Sequence, residues 1–90
     1  MDLNQARKKI EEIDAKMASL FEQRMHCSKE IAEYKIANDM RVFDAVREKK
    51  LLDQNSALIE DKELETYYRD FLRAVMNISK DYQKNIMSEE

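Results

Sequence analysis

Ninety residues hold one domain at most, here taken as residues 1–90, and a chain with no Gly, no Pro and 39% charged residues has almost no vocabulary for turns or strands. A formal net charge of −3 and a pI near 5.3, with lysines and arginines interspersed among acids, exclude a massed basic face for nucleic acid. The single cysteine, Cys27, excludes an intrachain disulfide.

The first element is a helix from about Leu3 to Ala37, with Asp2 or Asn4 as its N-terminal cap and the polar, non-periodic stretch Asn38-Asp39-Met40-Arg41 as its end. Leu3, Ala6, Ile10, Ile13, Met17 and Leu20 or Phe21 recur every three to four residues, the spacing of one helix face. The same line then continues into Arg24, Cys27 or Ser28, Ile31 and Lys35. Eleven residues at about 100° each come to roughly three turns plus 20°, so Arg24 and Lys35 share a face about 16 Å apart along the axis. Burying two cations on an apolar stripe costs free energy unless an anion pairs with them.

A second, shorter helix is expected from about Asp44 to Ile59, with Val46, Leu51, Leu52 and Leu58 as its apolar side. Asp44 at its start lies where the helix dipole favours a carboxylate. Asp44, Arg47 and Glu48 stand at i, i+3 and i+4, one face of that helix. The polar turn Glu60-Asp61-Lys62-Glu63 leads into a third helix carrying Leu64, Tyr67, Tyr68, Phe71, Leu72, Val75, Ile78, Tyr82 and Ile86 at helical spacing. Ser79 and Gln83, at i and i+4, flank that stripe. Both polar sets can face Arg24 and Lys35 across a bundle interior.

The class is therefore all-α, with three helices, one long, one short and one medium. A helix of roughly 50 Å must project beyond a compact domain whose radius of gyration is about 13 Å. Its apolar stripe runs along nearly the whole length, so a two-fold homodimer is expected in which the long helices pair or the chains become intertwined, with folding and assembly inseparable. Arg7 lies about 25 Å from Arg24 along the helix and about 100° round it. If Arg7 serves the same pocket, it comes from the partner chain.

Other residues have plainer readings. His26 is expected in solvent, and Cys27 as a small buried or half-buried residue near the site. Met17, Met25, Met76 and Met87 are packing or end residues, and the four tyrosines are packing aromatics whose hydroxyls reach an edge. The start Met1-Asp2-Leu3-Asn4 lacks the apolar run of a signal peptide and no stretch approaches membrane-spanning length, so the expectation is a cytoplasmic protein with no membrane partner.

Taken together, Arg7-Lys8-Lys9-Ile10-Glu11-Glu12-Ile13-Asp14, Glu22-Gln23-Arg24, Lys35, Val42-Phe43-Asp44-Ala45-Val46-Arg47-Glu48, Ser79 and Gln83 fall in an order and spacing that resembles the all-helical, bacterial-type chorismate mutases over essentially the whole chain. The resemblance implies an interlocked dimer with two equivalent sites, each receiving Arg7 from the other subunit. It also implies a unimolecular Claisen rearrangement of chorismate to prephenate, in phenylalanine and tyrosine biosynthesis, with no cofactor, metal or nucleophile. By that resemblance Arg7 and Arg24 hold carboxylates, and Lys35 and Gln83 donate to the breaking ether oxygen. Glu48 and the backbone near Asp44 hold the ring hydroxyl, while Arg47 and Ser79 support the ring carboxylate side. Two alternatives stay open: an isochorismate pyruvate lyase on the same scaffold, and a non-catalytic helical dimer that binds a ligand or partner protein. The latter predicts that Arg24→Leu or Lys35→Leu stabilises the fold at no cost in activity. Ninety residues leave little room for an effector domain, so feedback is expected only through docking to another aromatic-pathway enzyme.

Overall fold

The computed structural model describes residues 2–88 and contains three α-helices, α1 (Leu3–Ala37), α2 (Ala45–Ser56) and α3 (Glu65–Ser88), with a 3-10 turn at Lys62–Leu64. There is no strand among the described residues. Nor is any described helix long and apolar enough to cross a membrane.

Each boundary has a local cause. Asp2 caps α1 through a reciprocal box: its carboxylate accepts from Gln5 N at 2.8 Å, and Gln5 Oε1 accepts from Asp2 N at 3.0 Å. At the other end Asp39 takes φ 52°, the left-handed conformation usually given to Gly, which Asp tolerates better than most residues. The chain then doubles back, with Met40 N on Lys35 O at 2.8 Å and Asp39 N on Ile36 O at 3.4 Å. These two bonds stop a 35-residue helix in a chain without glycine.

Asp44 is the N-cap of α2, its Oδ1 accepting from Arg47 N at 3.0 Å. α2 ends at Ser56, three residues short of the Ile59 expected from sequence. Past Ser56 the bonding tightens to i−3, Leu58 N to Asn55 O at 3.0 Å and Ile59 N to Ser56 O at 3.2 Å, and the helix closes. Arg69 of α3 reaches this end, donating through Nη1 to Ser56 Oγ at 3.0 Å and to Leu52 O at 3.4 Å. The expected polar turn is partly helical: Asp61 caps the 3-10 segment by accepting from Glu63 N at 3.1 Å, and α3 starts one residue after Leu64.

α3 packs against both α1 and α2, whereas α1 and α2 are held apart. The body measures 53 × 24 × 14 Å, and its thinnest dimension is barely more than the diameter of one helix. Such a layer has little interior: among the described residues the buried hydrophobic side chains are Ala32, Leu72 and Met76. Leu3, Ile10 and Leu20, on the α1 stripe, are 54–62% exposed. Val46 and Leu58, expected on the apolar side of α2, are exposed instead: Val46 stands off the line along which α2 meets α3, and Leu58 lies past the end of the helix at Ser56. The radius of gyration, 16.1 Å, exceeds the roughly 13 Å of a compact chain of this size.

Candidate active site

The buried line of α3 changes chemistry partway along. Leu72, Met76, Ser79 and Gln83 succeed one another at i, i+4, i+7 and i+11, one face of the helix, and all four are buried. Ser79 and Gln83 are therefore on the buried line itself rather than beside it. On α1 the facing line carries Arg24, Ser28, Ile31 and Lys35, with Ser28 buried and both cations half-buried. Where these polar stretches meet, a cavity of about 340 Å³ opens in the gap between α1 and α2, floored by α3.

Seven of the eight residues singled out from sequence line this cavity: Arg24, Lys35, Asp44, Arg47, Glu48, Ser79 and Gln83. Arg7 does not. It is exposed, and the straight run of α1 carries it about 25 Å away from Arg24.

The contacts show how the groups are held. Arg24 donates through Nη1 to Ser79 Oγ, and that hydroxyl lies 3.8 Å from Met25 Sδ. Lys35 Nζ donates to Val42 O at 2.8 Å, which draws the α1–α2 connection over the cavity and leaves two ammonium protons for a ligand. The Asp44 carboxylate is engaged at the α2 cap and the Glu48 carboxylate bonds Lys80 Nζ at 2.9 Å. Gln83 Oε1 is buried without a hydrogen-bond donor. A buried amide oxygen left unpaired costs about 1–3 kcal/mol, and the carboxamide that carries it lines the cavity, where its NH₂ can donate to a ligand.

Arg24, Lys35, Arg47 and Lys80 give the lining four cations against two carboxylates, Asp44 and Glu48, or +2 in a chain whose total is −3. The site is a local positive well fitted to a small dianion. Cys27 lines the cavity but is exposed, contrary to the buried or half-buried position expected, because it stands on the open side of α1 one residue from the buried Ser28.

Lys80, Asn55 and the Val42 carbonyl also belong to the cavity, although none is singled out by the sequence pattern that marks the other residues. Lys80 had a legible signal, since it sits four residues after Met76 and three before Gln83, on the same side of α3. The Val42 carbonyl had none, because a backbone acceptor carries no residue signature.

Comparison with curated proteins and with solved structures gives no match. A family model described as chorismate mutase type II matches residues 6–84, a span that includes every residue of the cavity and Arg7 as well. On that match the chain belongs to the chorismate mutase type II family.

Proposed function

We propose that the protein is a chorismate mutase, converting chorismate to prephenate by a concerted Claisen rearrangement. The carbon–oxygen ether bond breaks as the new carbon–carbon bond forms, and no proton or covalent intermediate is exchanged with the protein. What supports the reading is the +2 cavity in which an unpartnered amide, that of Gln83, shares the lining with two half-buried cations, Arg24 and Lys35. Arg24 binds a substrate carboxylate and its bond to Ser79 fixes its direction. Lys35 and Gln83 donate to the ether oxygen as negative charge gathers there. Arg47 and Ser79 face the ring carboxylate side, and Glu48 with the Asp44 backbone takes the ring hydroxyl.

Catalysis then has two parts. Fixing the two carboxylates selects the compact, chair-like conformer in which the reacting carbons meet. Preorganised donors at the ether oxygen favour the transition state over the substrate. A modest enzymatic acceleration of about 10⁶-fold requires about 8 kcal/mol from these two sources.

The active unit is a homodimer in this reading. Covering exposed stripe residues such as Leu3, Ile10 and Leu20, which are already partly buried, contributes about 1–2 kcal/mol for each. A second copy packed along α1 supplies the missing layer and brings its Arg7 to the open side of the cavity.

The test is direct: purified protein is added to chorismate, the ultraviolet absorbance followed and the product separated by chromatography. Prephenate formed far above the spontaneous rate supports the mutase. Pyruvate released from isochorismate, with chorismate untouched, means the lyase. No turnover of either leaves a ligand-binding helical dimer.

A further inference from the structure

Lys80 has no part in the roles assigned above, yet it stands inside the cavity. Its Nζ lies 2.9 Å from Glu48 Oε1 and 4.8 Å from the centroid of the Phe43 ring, so one side chain of α3 ties down both α2 and the α1–α2 connection. Neither partner is a free surface group: the Lys80 and Glu48 side chains are 25% and 22% exposed. Exposed ion pairs contribute little because water screens them and both chains move; a half-buried pair, with its ammonium also resting on an aromatic face, is held more firmly.

We propose that Lys80 is a positioning residue that acts through Glu48. By occupying Oε1 it fixes the carboxylate plane and leaves Oε2 as the single acceptor turned to the ligand, where a ring hydroxyl donates to it. It also neutralises a carboxylate that would otherwise repel a dianion in the same cavity. The selectivity that results is for a cyclic diacid carrying a hydroxyl at the Glu48 end over one that lacks it. This inference rests on the mutase reading for the identity of the substrate, and on the ion pair for its mechanism.

Two simpler roles predict different outcomes. If Lys80 were a direct ligand for a carboxylate, its removal would cost affinity whether or not Glu48 is present. If cavity charge alone mattered, Glu48→Gln would raise the net charge from +2 to +3 and improve binding of a dianion. A positioning role predicts that Glu48→Gln impairs turnover and that Lys80→Met adds nothing to it.

The experiment is a double-mutant cycle on the full chain, reading kcat/KM for chorismate. Beside it, calorimetry compares a bicyclic ether diacid bearing the ring hydroxyl with its deoxy counterpart. Lys80→Met is expected to lower kcat/KM about ten-fold alone and less than about two-fold in the Glu48→Gln background, with Lys80→Arg retaining most of the activity. The hydroxylated diacid should bind wild type about ten-fold more tightly than the deoxy one, an advantage lost in Lys80→Met. That ratio is independent of the fraction of protein folded. Losses that multiply in the double variant, or an unchanged ratio in Lys80→Met, overturn the proposal while leaving the mutase reading intact. Should wild type leave chorismate at its spontaneous rate, the mutase reading fails and the binding ratio alone decides Lys80. Wild type that neither turns over chorismate nor binds either diacid overturns both.

Discussion

Arg24 and Ser79 are joined by a hydrogen bond across 55 residues of sequence, the guanidinium of α1 donating to a hydroxyl buried on α3. This contact fixes the direction of a half-buried cation and joins the two longest helices at the edge of the cavity. Ser79→Ala removes the acceptor and leaves the hydroxyl's space empty. It should cost about 1–2 kcal/mol of stability in urea titration, because one donor loses its partner. KM should rise more than kcat falls, since the guanidinium remains but is no longer aimed.

Lys35→Ala separates a catalytic site from a packing site. Lys35 Nζ holds Val42 O at 2.8 Å, so the variant loses one bond at the connection, while α1 and its Asp39-based stop are untouched. Helicity by circular dichroism should be unchanged and kcat should fall by about 10²–10³, the cost of removing one donor to developing charge. A variant with full activity contradicts the role.

Gln83→Glu makes activity depend on pH. An amide donates at any pH, whereas a carboxyl donates only while protonated. Protonation is lost as pH rises through the carboxyl's pKa, so the variant is active on the acid side and inactive above it. Wild-type turnover should stay level through neutral and mildly alkaline pH. Pre-steady-state rates for both proteins across that range check the sign. Equal alkaline activity in the variant removes Gln83 from the ether oxygen.

The proposed sharing of sites between two chains has a complementation signature. Arg7→Ala and Arg24→Ala should each be nearly inactive. Mixed through unfolding and refolding at equal amounts, they should recover about a quarter of the wild-type activity, because half of the dimers are hybrids with one intact site of two. No recovery, with hybrids demonstrated by mass, means that Arg7 does not cross between chains.

Arg69 predicts a stability effect of a different kind. Its guanidinium donates to Ser56 Oγ at 3.0 Å and Leu52 O at 3.4 Å and pairs with Asp53 at 3.3 Å, tying the end of α2 to α3. Arg69→Ala should cost about 1–2 kcal/mol, mostly through the two bonds at the half-buried helix end. Asp53→Asn, which removes only the ion pair to a carboxylate that is 55% exposed, should cost less than about 0.5 kcal/mol.

The helices and most of the cavity lining are legible in residue order. Arg24, Ser28, Ile31 and Lys35 continue the apolar period of α1, and Ser79 and Gln83 stand one turn apart on α3, so the rotation of 100° per residue alone puts each set on one face; that the second set lies on the buried line of α3 came from the packing. Asp2 and Asp44 announced helix starts because a cap is a local interaction. Other features arise only when the helices pack. The tie from the end of α2 to α3 is made by Arg69, thirteen residues beyond Ser56. Val46 and Leu58 read as the apolar side of a helix by type and are exposed, since only the geometry of α2 on α3, and the end of α2 before Leu58, say which apolar residues find a neighbour. The role of Lys80 appears only once α2 places Glu48 at 2.9 Å and the connection places Phe43 within 4.8 Å of its ammonium. Periodicity encodes which residues share a face, because it is a property of one helix; which charges pair across a cavity is set only when separate helices are brought to fixed distances.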